Sequence, residues 1–244
     1  MKLNCDLGES FGAWKMGLDD QVMPHIDMAN IACGFHAGDP SVMANTLKLA
    51  KQHNVMIGAH PSYPDKQGFG RRSMNLSVAE LTQCLHYQIA ALDGMAKAQG
   101  LTLSYVKPHG ALYNDMMKHQ PLLSAVMGAV ASYPADLKLM ILATANAKHH
   151  HTMARHLGLT LVLEAFADRL YTDQGHLVAR NIAGSVHDKA ALLAQVKQLL
   201  TSNSVTTQSG KSLKLNADSI CVHGDNAQGV ALIEDIKALC SASV

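Results

Sequence analysis

Short apolar runs of strand length alternate along the chain with longer stretches whose apolar residues recur every three or four positions. The runs are Lys2 to Cys5, Met28 to Ala32, Val55 to Ala59, Leu101 to Val106, Leu139 to Leu142, Leu159 to Leu163 and Ser219 to Val222. Between them, Asp39-Pro40 pairs a good N-cap with a proline suited to a first helical turn, and Val42, Met43, Leu47 and Ala50 then share one face. Ser77-Val78-Ala79-Glu80 has capping-box spacing, and Val78, Leu81, Leu85, Ile89, Leu92 and Met95 continue the helical period up to Gly100. Further helices are predicted from Pro121 (Leu122, Val126, Met127, Val130), over Ala147 to Leu157 ahead of Gly158, over His187 to Leu200, and at the end of the chain (Val230, Ile233, Ile236, Leu239). Between Leu170 and Ser219 the alternation loosens. Tyr171 to Arg180, with the turn Asp173-Gln174-Gly175, predicts a hairpin, and the polar segment Thr201 to Lys214 a loop or short hairpin.

Strand and helix alternating at this pitch give an α/β fold with a parallel sheet. Each strand runs into polar residues at its carboxyl end. Only a closed or nearly closed sheet gathers all those ends at one mouth, so the expected architecture is a distorted, TIM-like (β/α) barrel of about seven strands rather than an open doubly wound sheet. A chain of 244 residues, 48% of them hydrophobic, fits one such domain spanning 1–244. The net charge of +1 gives no reason to expect a nucleic acid as partner, and no apolar run is long enough to cross a membrane. Asp6 stands where a signal peptide would need its apolar segment, so the expected location is the cytoplasm. The five cysteines include no Cys-x-x-Cys pair and read as buried small hydrophobes, although Cys5, Cys33 and Cys221 stand near strand ends where they could line a site.

The chemistry gathers where the strands stop. In Tyr105-Val106-Lys107-Pro108-His109-Gly110, proline ends the ladder and presents a cation and an imidazole at the carboxyl end of a strand. The other ends offer Asp6 and Glu9, His36 and Asp39, His60, then Glu164, Asp168 and Arg169, and finally His223 and Asp225. Caps and turns use Ser, Asn, Asp or Gly and have no need of repeated His, Lys and Arg, so the recurrence points to hydrolysis or group transfer on a polar, anionic substrate.

The segments Asn4 to Gly12, Ala29 to Pro40, Gly58 to Arg72, Val106 to Asn114, Glu164 to Tyr171 and Ile220 to Asp225 closely resemble the motifs of the lactam-utilisation family, whose members are described as 5-oxoprolinase A subunits. The resemblance covers almost the whole chain and is weakest over Ser202 to Ser219. It implies a barrel similar to that of glycoside hydrolases and polysaccharide deacetylases. The implied activity is ATP-dependent opening of 5-oxoproline to L-glutamate, with ATP and Mg²⁺ as co-substrate and two partner subunits, B and C. An unstrained lactam is a poor electrophile, so phosphorylating its carbonyl oxygen would prepare it for water. Such a site needs cations, a base for water and an acid for the leaving nitrogen. The groups expected to carry the chemistry are Asp6, His60, Lys107, His109, Asp168 and Asp225. Glu9, His36, Arg71, Arg72, Arg169 and His223 are expected to hold substrate.

Ser209-Gly210-Lys211-Ser212 is not a phosphate loop, because Val205 stands where the first glycine is required and the segment leads toward a strand; a surface turn is expected. ATP then either uses the barrel mouth or belongs to the partners. A divalent metal at Asp6, His60 and His109 is the natural alternative, since barrel deacetylases use such ligands. His149-His150-His151 reads as solvated. The rival functions are a metal-dependent amidase or carbohydrate deacetylase and a non-catalytic, lactam-binding accessory subunit.

Overall fold

A computed structural model describes residues 1–222 and 230–242. The strands are β1 (Lys2–Leu7), β2 (Met28–Ala32), β3 (Met56–His60), β4 (Leu103–Val106), β5 (Lys138–Leu142), β6 (Leu161–Phe166), β7 (Ser204–Thr206), β8 (Ser212–Lys214) and β9 (Ser219–Val222). Seven of them, β1 to β6 and β9, close into a barrel in that order, and every adjacent pair is parallel. The helices are α1 (Asp19–Val22), α2 (Pro40–Gln52), α3 (Val78–Ala98), α4 (Gly110–Lys118), α5 (Gln120–Ala131), α6 (Ala147–His156), α7 (Lys189–Ser202) and α8 (Ile233–Ala242). The TIM-like α/β barrel expected from the alternation is therefore the fold.

Local chemistry explains most boundaries. The Asp39 carboxylate accepts from the Ser41 and Val42 amides at the start of α2, and Ser77 and Glu80 form the reciprocal capping box of α3. Two expectations change. The segment after β4, where the sequence predicts no helix before Pro121, is helix α4, whose Ala111, Leu112, Tyr113, Met116 and Met117 are buried; the Lys-Pro-His-Gly run hid its start. Over Tyr171 to Arg180 there are only isolated bridges, among them Tyr171 with Leu177, whereas the hairpin considered for Thr201 to Lys214 is present as β7 and β8. Among the described residues, no helix is long and apolar enough to cross a membrane.

The period-two alternation of each strand divides its residues between two environments. Outward-facing Leu3, Ile31, Ile57, Val106, Ile141, Leu163 and Ile220 join the helices in the main core. Inside the barrel, Met28, Tyr105 and Met140 form a separate apolar floor with Met56 and Val162. Above the floor the interior turns polar. Asn4 donates to Ser219 at 2.7 Å, Asn30 to Asn4 at 2.8 Å, and the Tyr105 hydroxyl to Asn30 at 2.6 Å. Gly58 pairs in register with Asn30 on one side and Tyr105 on the other. A Cβ there would collide with the Tyr105 ring, so glycine is what lets that ring cross toward Asn30.

Gly58→Ala is expected to destabilise the protein by about 1–3 kcal/mol through this overpacking, whereas Gly94→Ala in α3, where an added Cβ meets nothing within 4 Å, should stabilise it by about 0.5–1 kcal/mol; denaturant unfolding of both variants measures the contrast.

Candidate active site

The throat of the barrel is an ion cluster. Lys107, just past β4 and 2% exposed, places Nζ 2.8 Å from Asp6 Oδ1, 3.1 Å from Glu164 Oε2 and 3.2 Å from Cys221 Sγ. The second Asp6 partner is Asn30, which donates to the same oxygen at 2.7 Å. Burial alone would push the Lys107 ammonium down, but Asp6, Cys221 and Glu164 outweigh it and hold the group well above the usual lysine range. Lys107 is therefore a fixed positive charge rather than a proton donor. β1 extends to Leu7, so Asp6 lies inside the strand, and the strand's alternation is what aims it at Lys107.

Beside this cluster stand four buried side chains from successive segments: Glu9 after β1, His36 after β2, His60 at the end of β3 and His109 after β4. One ligand atom from each lies within 4.8 Å of all the others. His36 and His109 stack with centroids 3.8 Å apart and planes 4° from parallel, and His60 meets His109 edge-on. Burial, followed by neighbouring imidazoles, pushes both His36 and His109 well below the usual histidine range, so both rings are neutral. The backbone packs closely around them. Gly70, with φ of +63°, sits where a Cβ would come within 2.9 Å of both His109 and His36, and Gly110, with φ of +59°, would bring one within 2.5 Å of the Gly70 carbonyl oxygen. That carbonyl accepts from the Ala111 amide at 2.8 Å, fastening the loop after β3 to the start of α4.

A cavity of about 320 Å³ opens over the throat, walled by Asp6, His60, Lys107, His109, Arg71 and Arg169 among the expected residues. Glu9 and His36 stand behind that wall. The clustered ligand atoms belong to Glu9, His36, His60 and His109, and Asp6, expected among the metal ligands, stands beside them with Oδ1 held by Lys107 and Asn30 and Oδ2 3.4 Å from His60 Nε2. Arg72 does not reach the cavity; it is bound to Asp65, which it holds down to about 2, and so it braces the loop. Asp168 is fully buried away from the cavity wall. Arg169 keeps its place on the wall while donating to the Val178 and Ser185 carbonyls, and burial, then Arg180, lowers its guanidinium to about 10. Asp39 is a helix cap, and His223 and Asp225 lie outside the described residues.

Other residues on the wall went unforeseen, chiefly Lys118 of α4 and Arg180, two cations that stand far from any strand end in sequence. The inner asparagines Asn4 and Asn30 left a fainter signal, a polar side chain inside an apolar run. Cys5, Cys33 and Cys221 are all buried, which pushes their thiols up, Cys33 to about 12, and makes them poor nucleophiles. Gly210 lies in the β7–β8 turn with Lys211 paired to Asp173, as expected of a surface turn. His150, read as solvated, is instead buried in α6.

The LamB/YcsF family model matches residues 1–243. The chain belongs to the LamB/YcsF family. It is 53% identical over 236 residues to the 5-oxoprolinase A subunit of Chromohalobacter salexigens, covering 96% of this chain and 94% of that relative. It is 52% identical over 238 residues to the 5-oxoprolinase A subunit of Vibrio parahaemolyticus, covering 97% and 94%. The crystal structure of the lactam utilization protein from Thermus thermophilus superposes with a TM-score of 0.89 at 38% identity, covering 100% of this chain and 97% of that one. A putative cellobiose-phosphate cleavage protein from Enterococcus faecalis, 11% identical with a TM-score of 0.54, shares the fold alone.

The buried and loop charges of this family member can be tested separately. Lys107→Met strands Asp6 and Glu164 in a buried site and is expected to cost about 3–5 kcal/mol in urea unfolding at neutral pH. Because Asp65 is held below its ordinary value, its contribution to stability is complete above that ordinary value, 3.8, and is lost as pH falls through about 2. Arg72→Ala should flatten that part of the stability curve, measured by unfolding across the acid range.

Proposed function

We propose that this chain supplies the lactam-opening site of a multi-subunit 5-oxoprolinase, which converts 5-oxoproline to L-glutamate at the expense of ATP. The observation that carries the reading is the cavity wall. On one side it has a carboxylate and two imidazoles, Asp6, His60 and His109, and around them the cations Lys107, Arg71, Arg169, Arg180 and Lys118. A small anion that must be phosphorylated needs both halves of such a wall. The relatives named as 5-oxoprolinase A subunits support the same substrate, and the word subunit supports partners, which we take to be B and C.

In this reading the lactam carbonyl oxygen attacks the γ-phosphorus of Mg²⁺-bound ATP and ADP departs. Arg71 and Arg180 face the incoming phosphoryl group and the substrate carboxylate. Water then adds to the activated carbon and gives a proton to Asp6. The C–N bond breaks, and the same proton passes from Asp6 to the leaving nitrogen. The acyl phosphate left behind takes up a second water, giving glutamate and inorganic phosphate. Lys107, locked as a cation, stabilises the negative charge that develops on the oxygen. Because Ser209 to Lys211 form only a turn, ATP either binds at the barrel mouth without a phosphate loop or is held by the partner subunits.

A second reading, an ATP-independent metal amidase or deacetylase, is favoured by the four-ligand cluster of Glu9, His36, His60 and His109. Measuring glutamate and ADP release from 5-oxoproline, ATP and Mg²⁺ separates the two. With the partner subunits present, turnover should be robust. Asp6→Asn should lower kcat about 10²–10⁴-fold, and Arg71→Ala should act mainly by raising KM. Absence of glutamate from every mixture would remove the oxoprolinase reading, and amide hydrolysis without ATP would install the second.

A further inference from the structure

The histidine cluster holds its protons in a pattern that the protein's own hydrogen bonds do not satisfy. A backbone carbonyl can only accept, so His60 Nδ1, 2.7 Å from the Lys107 oxygen, and His109 Nε2, 2.9 Å from the Phe69 oxygen, must both carry hydrogen. The nitrogens left to each other are then His60 Nε2 and His109 Nδ1, which face at 3.0 Å, and where each ring carries one hydrogen both are bare. Two lone pairs at that separation repel unless something positive lies between or beside them.

The third ring rules out a shared proton as a complete answer. His36 is 1% exposed and neither of its nitrogens makes a hydrogen bond, yet its Nε2 is aimed at Glu9 Oε1, 3.4 Å away. The same carboxylate oxygen lies 3.6 Å from His109 Nδ1. One proton between His60 and His109 would leave the His36 lone pair, the most deeply buried of the set, unanswered. A single cation reached by all four groups answers His60 Nε2, His109 Nδ1, His36 Nε2 and Glu9 Oε1 together.

We propose that Glu9, His36, His60 and His109 form a binding site for one divalent transition-metal ion of the zinc class. The four donor atoms lie within 4.8 Å of one another, and the separations of 3.0, 3.4 and 3.6 Å along three of the edges are close to the edge of about 3.4 Å expected for a tetrahedron with bonds of ~2.1 Å, so an ion would draw the remaining edges inward. Three imidazole nitrogens and one carboxylate oxygen suit zinc, cobalt, nickel or ferrous iron and not magnesium, so this ion is distinct from the Mg²⁺ that travels with ATP. The Lys107 and Phe69 carbonyls supply the outer support that metal-binding histidines ordinarily have, fixing tautomer and ring orientation. The edge-on contact with Phe69 packs against His36, and because ring lone pairs lie in plane, the His36 or His109 ring turns out of their parallel stack when both take the ion. Asp6 stands beside the set rather than in it: its Oδ1 is occupied by Lys107 and Asn30, and its Oδ2 lies 3.4 Å from His60 Nε2. His60 and His109 also wall the cavity, so an ion held here would supply Lewis acidity within reach of whatever occupies it.

The test is metal binding by the full chain, read independently of ring opening. Chain dialysed against chelator and titrated with Zn²⁺ in a calorimeter is expected to bind one equivalent, and Co²⁺ in its place should give the visible absorption of a tetrahedral, nitrogen-rich site. His36→Gln and Glu9→Gln, each checked for folding by circular dichroism, should weaken Zn²⁺ binding by at least about 100-fold, beyond what changes to outer-shell support bring. The double variant His149→Ala/His151→Ala should keep both the stoichiometry and the cobalt spectrum. Absence of stoichiometric uptake by the wild type, undiminished binding by folded His36→Gln, or loss of binding on removal of His149 and His151 would each overturn the proposal. None of these readouts depends on glutamate formation, so the oxoprolinase reading stands or falls separately.

Discussion

Lys107 is a charge buried at the bottom of a barrel, and much of the architecture answers to it. An ammonium removed from water needs compensation from more than one side. Asp6 from β1, Glu164 from β6 and the Cys221 sulfur from β9 provide it, which ties three separate strands to the end of a fourth. Asn30 then donates to both Asp6 and Asn4 below, and the Tyr105 hydroxyl donates to Asn30. The polar layer is thus stacked between an apolar floor and the cavity, and the cluster comes to the surface of that cavity already oriented.

A second constraint is the close fit of the loop after β3. Gly70 lies against two imidazoles and its carbonyl takes the Ala111 amide at the start of α4, while Phe69 just before it offers its carbonyl to His109 and its ring edge to His36. The Asp65–Arg72 pair closes the loop upon itself. The consequence is that the positions of His36, His60 and His109 follow from backbone packing as well as from their own contacts.

The barrel was legible because its seven strand runs and the helical periods between them repeat a pattern that one architecture satisfies. The strand-end residues Asp6, His60, Lys107 and His109 were legible for the same reason: His and Lys at such positions have no turn or cap to serve. Arg72 and Asp168 stand off the cavity wall because sequence shows that a charge is near a strand end and not which way it turns; Arg72 turns to Asp65, and Asp168 turns into the protein. The regrouping of Glu9 and His36 with the two other histidines depends on the stacking of His36 on His109, residues far apart in the chain, which no local spacing encodes. Lys118 and Arg180 come to the cavity from a helix and a loop whose place over the mouth only the closed barrel determines.

The two faces of the cavity come from different stretches of the chain. The four clustered ligands and both partners in the Asp6–Lys107 pair lie at or before His109, whereas Phe166, Arg169 and the segment Leu177 to Arg180 form the opposing side. That opposing side is built largely from loop held by isolated bridges and by the hydrogen bonds of Arg169 to Val178 and Ser185. Substitutions in that later loop can therefore reshape the cavity and its cations while the Asp6–Lys107 pair and the histidine cluster keep their places.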